Sequence, residues 1–230
     1  GKIQFNAAAF YNDISNLQVT LDAGSCSSRI SFNVPKAHSM GVEMELKARP
    51  TEGLDLSIAG SLIESEFDST IEDGSGGVFG GVRDGNRLAS TPKFNLGATA
   101  TYSFPFELAG DGAEAYFSMT FSHRSSVFTQ PTDQEAGGVG SSILTQESGL
   151  AFGGASGADA TVLDLELDAY QSMNLSFGVQ MEEWEVVAYI NNVTDENANL
   201  SFDRERGGRA RLGFRTNQPR TFGLTMRTNF

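Results

Sequence analysis

Few residues in this 230-residue chain are of the types that carry out catalysis or bind a metal. The chain has one cysteine, Cys26, and two histidines, His38 and His123. A single thiol excludes a disulfide bond within the chain and a zinc site built from several cysteines. We interpret Cys26 as a bystander in a polar loop, with a ligand-contacting thiol or a disulfide to a segment outside this sequence as alternatives. The histidines have no patterned partner, so haem ligation is the less favoured interpretation. No cofactor is predicted.

Other chemically suggestive segments also fall short of a site. The carboxylates of Glu72-Asp73-Gly74 suit calcium, but the segment lacks the spacing of an EF-hand loop, and we interpret it as a solvated loop tip. The basic cluster at Asp203-Arg204-Glu205-Arg206 could contact an anionic ligand or lipopolysaccharide, although self-paired charges are the simpler explanation. Because no Ser/His/Asp or paired-carboxylate arrangement stands out in the sequence, we do not predict an enzyme.

Charge and hydropathy restrict the class of protein further. Lys and Arg number 16 and Asp and Glu number 29, giving a net charge of −13. This balance argues against nucleic acid, whose phosphates require a basic surface. The longest apolar runs are far shorter than the roughly 18–20 residues of a membrane-spanning helix. The chain opens inside an alternating pattern without a signal peptide, so we interpret it as a mature or truncated piece.

The strongest signal is an alternation of apolar and polar residues with a period of two, which places them on opposite faces of a β-strand. It is clearest in the last residues, where one face carries Phe222, Leu224, Met226, Thr228 and Phe230. The same pattern recurs at 41–49, 54–62, 92–104, 113–124, 163–180 and 184–191, and more weakly from Ile3 to about Val19. An apolar stripe at helical spacing does not occur over any comparable length, so the sequence predicts an all-β chain.

The connections between these segments alternate in length. Those at 49–54, 105–112 and 180–184 are short, whereas those at 20–28, 68–88, 129–160 and 196–218 are longer and rich in polar residues and glycine. Short connections at one end of about eight strands and long ones at the other are typical of outer-membrane barrels. We therefore predict an antiparallel up-and-down transmembrane β-barrel.

A soluble β-sandwich also alternates polar and apolar residues, and it is the main structural alternative. Three features favour the membrane. The predicted strands, of about 10–20 residues, exceed the usual soluble length of about 5–6. Charges follow one another on the polar faces, at Glu43, Glu45, Lys47 and Arg49 and at Asp164, Glu166 and Asp168. Aromatic residues lie near predicted strand ends, as an interfacial girdle requires: Tyr102, Phe104, Trp184, Phe222 and Phe230.

Four segments, in this order and spacing, resemble the C-terminal part of a TonB-dependent outer-membrane receptor. They are Phe5 to Val19, Gly41 to Pro50 followed by Gly53-Leu54, the Asn191-Asn192-Val193-Thr194-Asp195-Glu196 motif, and Pro219 to Phe230. The resemblance implies that residues 1–230 form a single β-barrel segment, part of a barrel of about 22 strands, without the plug domain and the N-terminal strands.

The resemblance also implies a function and a set of partners. Such a receptor imports a scarce nutrient, namely a ferric siderophore, haem, cobalamin or an oligosaccharide, with energy delivered by TonB through the plug. The C-terminus is expected to be periplasmic. The strand with Phe222, Leu224, Met226, Thr228 and Phe230 is expected to contact outer-membrane lipid and lipopolysaccharide and to be recognised by the barrel-assembly machinery. A self-contained small barrel acting as an anchor or adhesin is the alternative, and a hydrolase barrel is a third, less favoured one.

Overall fold

The chain folds almost entirely into β-strands. The structure, a computed structural model, describes residues 2–22, 29–107, 112–135, 166–204 and 212–228. Within these ranges no helix has the length and apolar character needed to cross a membrane. Short 3-10 helices occur at Phe79–Gly81 and Pro131–Gln134. The strands are β1 Lys2–Asp22, β2 Arg29–Arg49, β3 Leu54–Phe67, β4 Phe94–Pro105, β5 Glu114–Arg124, β6 Val127–Phe128, β7 Glu166–Leu167, β8 Tyr170–Gln180, β9 Trp184–Asn191, β10 Asn199–Arg204, β11 Leu212–Thr216 and β12 Thr221–Thr228.

Eight of these strands form one antiparallel sheet in the order β1-β2-β3-β4-β5-β8-β9-β12. Neighbours in the sheet are also neighbours in sequence, apart from two inserted ribbons, β6–β7 and β10–β11. The predicted up-and-down arrangement of eight strands is therefore confirmed. Among the described strands β1 and β12 have no pairing with each other, so this sheet is not closed and has two open edges.

The connections alternate in length as the sequence predicts. The strand pairs β2–β3, β4–β5 and β8–β9 are joined at one end of the sheet, which we call the short-turn end. The strand pairs β3–β4 (through residues 68–93), β5–β8 and β9–β12 are joined at the opposite end, the long-connection end. This division follows from the antiparallel order, because successive strands of a meander reverse direction.

The continuous strand predicted over 163–180 is wrong in its first part. Residues 163–165 lie outside the described ranges, and the strand is interrupted at 168–169. Glu166 and Leu167 pair with Phe128 and Val127 in the ribbon β6–β7 instead of joining the main sheet. The physical reason is an ion pair between Glu166 and Arg87, 3.3 Å apart, which holds this segment against the long-connection end.

The sheet has two chemically distinct faces, set by the register of its strands. One lateral row crosses six strands through Phe5, Leu46, Ile58, Ala98, Phe121 and Met173, and we call that side the apolar face. Another row, three residues further along β1 and on the opposite side, runs through Ala8, Glu43, Ser61, Asn95, Arg124 and Tyr170, and we call that side the polar face. A shift of one residue in any strand would exchange its two sets of side chains.

The main buried cluster of the described residues lies at the long-connection end of the sheet, where the 68–93 segment packs against β2 and β3. Val34, Ala37, Phe67 and Val82 are buried together, and partly buried apolar side chains such as Leu17 pack against them. The rings of Phe32 in β2 and Phe79 in the 3-10 helix meet edge to face, with centroids 5.0 Å apart. The β1–β2 hairpin is therefore capped by the 68–93 connection.

Candidate functional site

The apolar face is the first feature that bears on function, because its large side chains are exposed. Leu224, Phe222 and Met226 are 72%, 71% and 66% exposed, and Phe5 is 61% exposed. A water-soluble sheet covers such a face with a second layer, whereas the described residues include only two-stranded ribbons besides this sheet. A continuous apolar surface across eight strands is what an acyl-chain solvent requires.

The terminal strand contributes to this face as the sequence predicts. Phe222 pairs with Ile190, Leu224 with Ala188 and Met226 with Val186, so each apolar residue of β12 has an apolar neighbour on β9. Thr228, the last residue of β12, pairs with Trp184. Phe230, which completes the predicted set, lies outside the described residues. The interpretation as a strand for membrane assembly stays a prediction.

Aromatic side chains lie toward the ends of several strands. In β4, Phe94 lies at the long-connection end and Tyr102 toward the short-turn end. The Tyr102 ring stacks on Phe104, with centroids 5.7 Å apart, and Phe104 meets Phe106 edge to face at 6.4 Å. Trp184 is the first residue of β9. Such positions suit the aromatic girdles found at membrane interfaces.

The polar face carries ion pairs that stabilise the sheet near the short-turn end. The Lys47 ammonium lies 2.7 Å from Glu45. The Arg49 guanidinium binds both oxygens of Asp55, at 2.7 and 2.9 Å. The predicted run of charges on this face is therefore largely compensated in β2, which the sequence did not indicate, because the partner of Arg49 comes from the next strand.

A second polar cluster ties together the last strands of the sheet. Glu185 accepts a hydrogen bond of 2.9 Å from the hydroxyl of Tyr116 and pairs with Arg227 at 2.7 Å. The Tyr116 ring lies on Gly178 so closely that a Cβ atom there would enter the ring. The Tyr189 ring covers Gly223 in the same way. Glycine is required at both positions because of this close approach.

The polar face also forms an open groove of about 720 Å³ across β1 to β5 and the start of β8. It is lined by the row Glu43, Ser61, Asn95, Arg124 and Tyr170 together with flanking residues such as Ser122. The Arg124 guanidinium carbon lies 4.9 Å from the centre of the Tyr170 ring. Sequence reasoning missed Arg124 and Tyr170, since only the register shows that they share a row.

The long-connection end holds an ordered polar network. Arg83 binds both carboxylate oxygens of Glu135 at 2.8 Å, and the amide of Asn86 donates to Glu135 at 2.7 Å. Hydrogen bonds from Arg83 hold the pKa of Glu135 below its ordinary value. Arg87 donates to the carbonyl oxygen of Ser126 at 2.8 Å. These contacts join the 68–93 and 125–135 segments, which the sequence predicted only as polar loops.

The Asn191-to-Glu196 motif organises the start of the last connection. The buried side chain of Asn192 accepts a hydrogen bond from the Glu196 backbone N–H and donates to the carbonyl oxygens of Glu196 and Gln218. Asp195 accepts from the backbone N–H of Arg220 at 3.1 Å. The motif therefore closes a loop that brings the chain back to β12, which is a structural role.

The remaining candidate residues do not form a common site. The His38 ring lies 2.7 Å from Asp68, and the His123 ring packs against Phe94 with centroids 5.6 Å apart. The histidines are separated laterally by β3 and β4 and by six residues along β3, where their rows cross at Glu66 and Gly60, roughly 25 Å at the usual strand dimensions. Cys26 and the cluster from Glu205 onward lie outside the described residues. Asp73 is exposed and accepts hydrogen bonds from Ser75 and Gly77 within its own turn. No group of three or more metal-ligating side chains occurs in the described part of the chain.

The chain is similar to known proteins of one β-barrel family. The family model described as TonB dependent receptor-like, beta-barrel matches residues 1–193. The solved structure of the ferric yersiniabactin uptake receptor FyuA from Yersinia pestis is 20% identical, with a TM-score of 0.67. The structures of the copper transporter OprC and of the ferric citrate transporter FecA are each 13% identical, with TM-scores of 0.58 and 0.56.

The matches cover nearly all of this chain but less than a third of each solved structure. They cover 99%, 100% and 99% of this chain but only 28%, 29% and 29% of FyuA, OprC and FecA. At such identities the likeness is one of fold. No curated protein sequence matches the chain. The chain therefore spans less than a third of the length of the structures that it resembles.

Proposed function

The chain belongs to the TonB-dependent receptor β-barrel family, and from this premise we propose that it is the C-terminal barrel part of an outer-membrane receptor. This receptor imports a scarce nutrient with energy that reaches it through TonB. The activity belongs to the whole protein, of which residues 1–230 supply a single barrel segment. A plug domain and further barrel strands complete that protein.

The observation that carries this proposal is the division of one eight-stranded sheet into an exposed apolar face and a grooved polar face. Leu224 and Phe222 are more than two-thirds exposed, whereas ion pairs such as Lys47–Glu45 lie on the opposite side. The apolar face suits acyl chains, and the polar face suits a water-filled interior. A pathway for a solute lies along the polar face.

The nutrient is a ferric siderophore, haem, cobalamin or an oligosaccharide. FyuA and FecA are named for ferric yersiniabactin and ferric citrate, and OprC is named as a copper transporter. These names support a metal-bearing nutrient, with a ferric siderophore as the first to test. The receptor is not an enzyme and has no resident cofactor, since its work is binding and transport.

The orientation and the partners follow from the same proposal. The short-turn end and the C-terminus face the periplasm, and the long-connection end with its Arg83–Glu135 network faces outward. The apolar face contacts outer-membrane lipid, and lipopolysaccharide surrounds its outer rim. The barrel-assembly machinery reads the final strand from Phe222 to Phe230, and TonB acts through the plug.

The open edges of the sheet support a larger barrel over a self-contained small one. Closure is obligatory in hydrocarbon because each unpaired backbone group there costs several kcal/mol. An eight-stranded barrel requires β1 to pair with β12, and the described strands show no such pairing. In the proposed receptor both edges are completed by strands from the rest of the protein, and the unpaired edges favour this arrangement over the anchor or adhesin alternative.

A growth assay tests the proposed function. The gene for the whole receptor is deleted, and uptake of radiolabelled iron chelates, haem, cobalamin and oligosaccharides is compared with the parent strain and with a complemented strain. We expect loss of one nutrient, restored by the complementing gene only when TonB is present. Unchanged uptake of every nutrient in the deletion strain, or uptake that persists without TonB, would contradict the proposal.

A further inference from the structure

We propose that Arg124 and Tyr170 form a carboxylate-binding subsite in the groove of the polar face. This inference rests on the proposed function, because it assigns the chemistry of one point on the solute pathway. Nε and Nη2 of Arg124 are buried and have no hydrogen-bond partner. Buried guanidinium donors without an acceptor are costly and rare. Arg124 as a whole is partly exposed and lines the groove, so a turn of its side chain into the groove would let a ligand supply the acceptor that these two atoms lack.

Three other cationic side chains on the polar face differ from Arg124 because each is paired with a carboxylate. Lys47, Arg49 and Arg227 each have a carboxylate 2.7 Å away, on Glu45, Asp55 and Glu185 respectively. Arg124 has no carboxylate partner among the described residues. Glu43, in the same lateral row, lies three strands away, about 14 Å at the usual strand spacing. It is too distant to neutralise the guanidinium.

The Tyr170 ring gives the subsite its geometry. The guanidinium carbon of Arg124 lies 4.9 Å from the ring centre, a contact that fixes a planar cation over an aromatic face. A planar guanidinium presents its N–H groups as a fork that matches the two oxygens of a carboxylate. Neighbours in the same groove are the amide of Asn95 and the hydroxyl of Ser122. The structure thus favours an anion that carries a carboxylate.

A matched pair of probes tests the subsite on the whole receptor purified in detergent. Binding of 4-fluorobenzoate is followed by fluorine NMR, and 4-fluorobenzamide, which has the same shape without the charge, is the control ligand. We expect 4-fluorobenzoate to bind with a dissociation constant of the order of 1 mM and the amide to bind far more weakly. Arg124→Gln weakens benzoate binding roughly tenfold or more, and Arg124→Lys restores part of it.

Arg227→Gln is the matched control variant, because its guanidinium is on the same face but is already paired with Glu185. Heat-modifiable migration on gels verifies that each variant is folded. The proposal is wrong if both probes bind equally or if 4-fluorobenzoate does not bind detectably. It is also wrong if Arg124→Gln binds 4-fluorobenzoate as tightly as wild type. If Arg124→Gln instead makes the plug more sensitive to proteolysis, Arg124 binds a carboxylate of the plug rather than of a ligand. That result would contradict the proposal.

The binding measurement needs no energy source, so it separates the subsite from the proposed function. A receptor that binds benzoate at Arg124 but imports nothing through TonB retains the subsite and loses the function. A receptor that imports its nutrient with TonB, while Arg124→Gln binds benzoate like wild type, retains the function and loses the subsite.

Discussion

Replacing Leu224 by arginine is the sharpest test of which solvent meets the apolar face. Leu224 is 72% exposed and lies in the middle of β12, between Phe222 and Met226. If acyl chains surround it, an arginine near the bilayer midplane costs about 2–4 kcal/mol. That range corresponds to a roughly 30- to 700-fold fall in the folding equilibrium constant. In water the same change at so exposed a position would be nearly neutral.

The matched control is Thr225→Arg, one residue along the same strand but on the polar face, where β12 already carries Arg227. Urea titrations of the whole receptor in lipid vesicles, followed by heat-modifiable migration, give the free energy of unfolding for each variant. We expect Leu224→Arg to lose stability and Thr225→Arg to remain near wild type. The assignment of the faces is refuted if Leu224→Arg is neutral, or if Thr225→Arg is the more destabilised of the two.

Three further changes probe other parts of the sheet. Gly178→Ala forces a methyl group into the Tyr116 ring and should lower the free energy of unfolding by about 1–3 kcal/mol. Gly97→Ala is the control in the same unfolding assay and should be tolerated, because the nearest atom to a new Cβ there is 4.0 Å away. Because the pKa of Glu135 is lowered in the folded protein, its contribution is present above its ordinary pKa of about 4.5 and is lost as the pH falls through the folded value. Hydrogen exchange of the 83–88 segment, corrected for intrinsic rates, should therefore rise on acidification in wild type, and Glu135→Gln should remove that step. Deleting Phe222 to Phe230 should abolish membrane insertion, and recovery of the folded, heat-modifiable truncated receptor from outer membranes would contradict this.

The sequence was sufficient to predict the number of strands in the main sheet and their two faces, but it placed β2 only at 41–49, whereas the strand begins at Arg29. Period-two alternation depends only on local side-chain direction, and the exposed positions of Phe222, Leu224 and Met226 agree with it. The alternation of short and long connections could also be predicted from the sequence. Antiparallel order then places successive connections at opposite ends of the sheet, which requires no knowledge of partners distant in sequence.

What the sequence could not predict depends on lateral register. Arg124 and Tyr170 are far apart in the chain, and only the pairing of β5 with β8 makes them opposite residues. The interruption at 168–169 had the same origin, because the alternation of 163–180 continues through a point where Glu166 is held by Arg87. A local pattern cannot reveal an ion pair between residues 79 positions apart.

The two faces and the two edges of this sheet together restrict where it can exist. The apolar face is unstable in water, since no second layer of the described residues covers it, and charged groups such as Glu43 on the polar face are unstable in hydrocarbon. Only a boundary between lipid and water satisfies both faces. At that boundary, however, the edges of β1 and β12 would present unpaired backbone groups to lipid, which is more costly than exposing them to water. Pairing of both edges is therefore required before the sheet can enter a membrane, and this requirement supports the proposed function, in which strands from the rest of the receptor pair with both edges and the terminal strand closes the barrel.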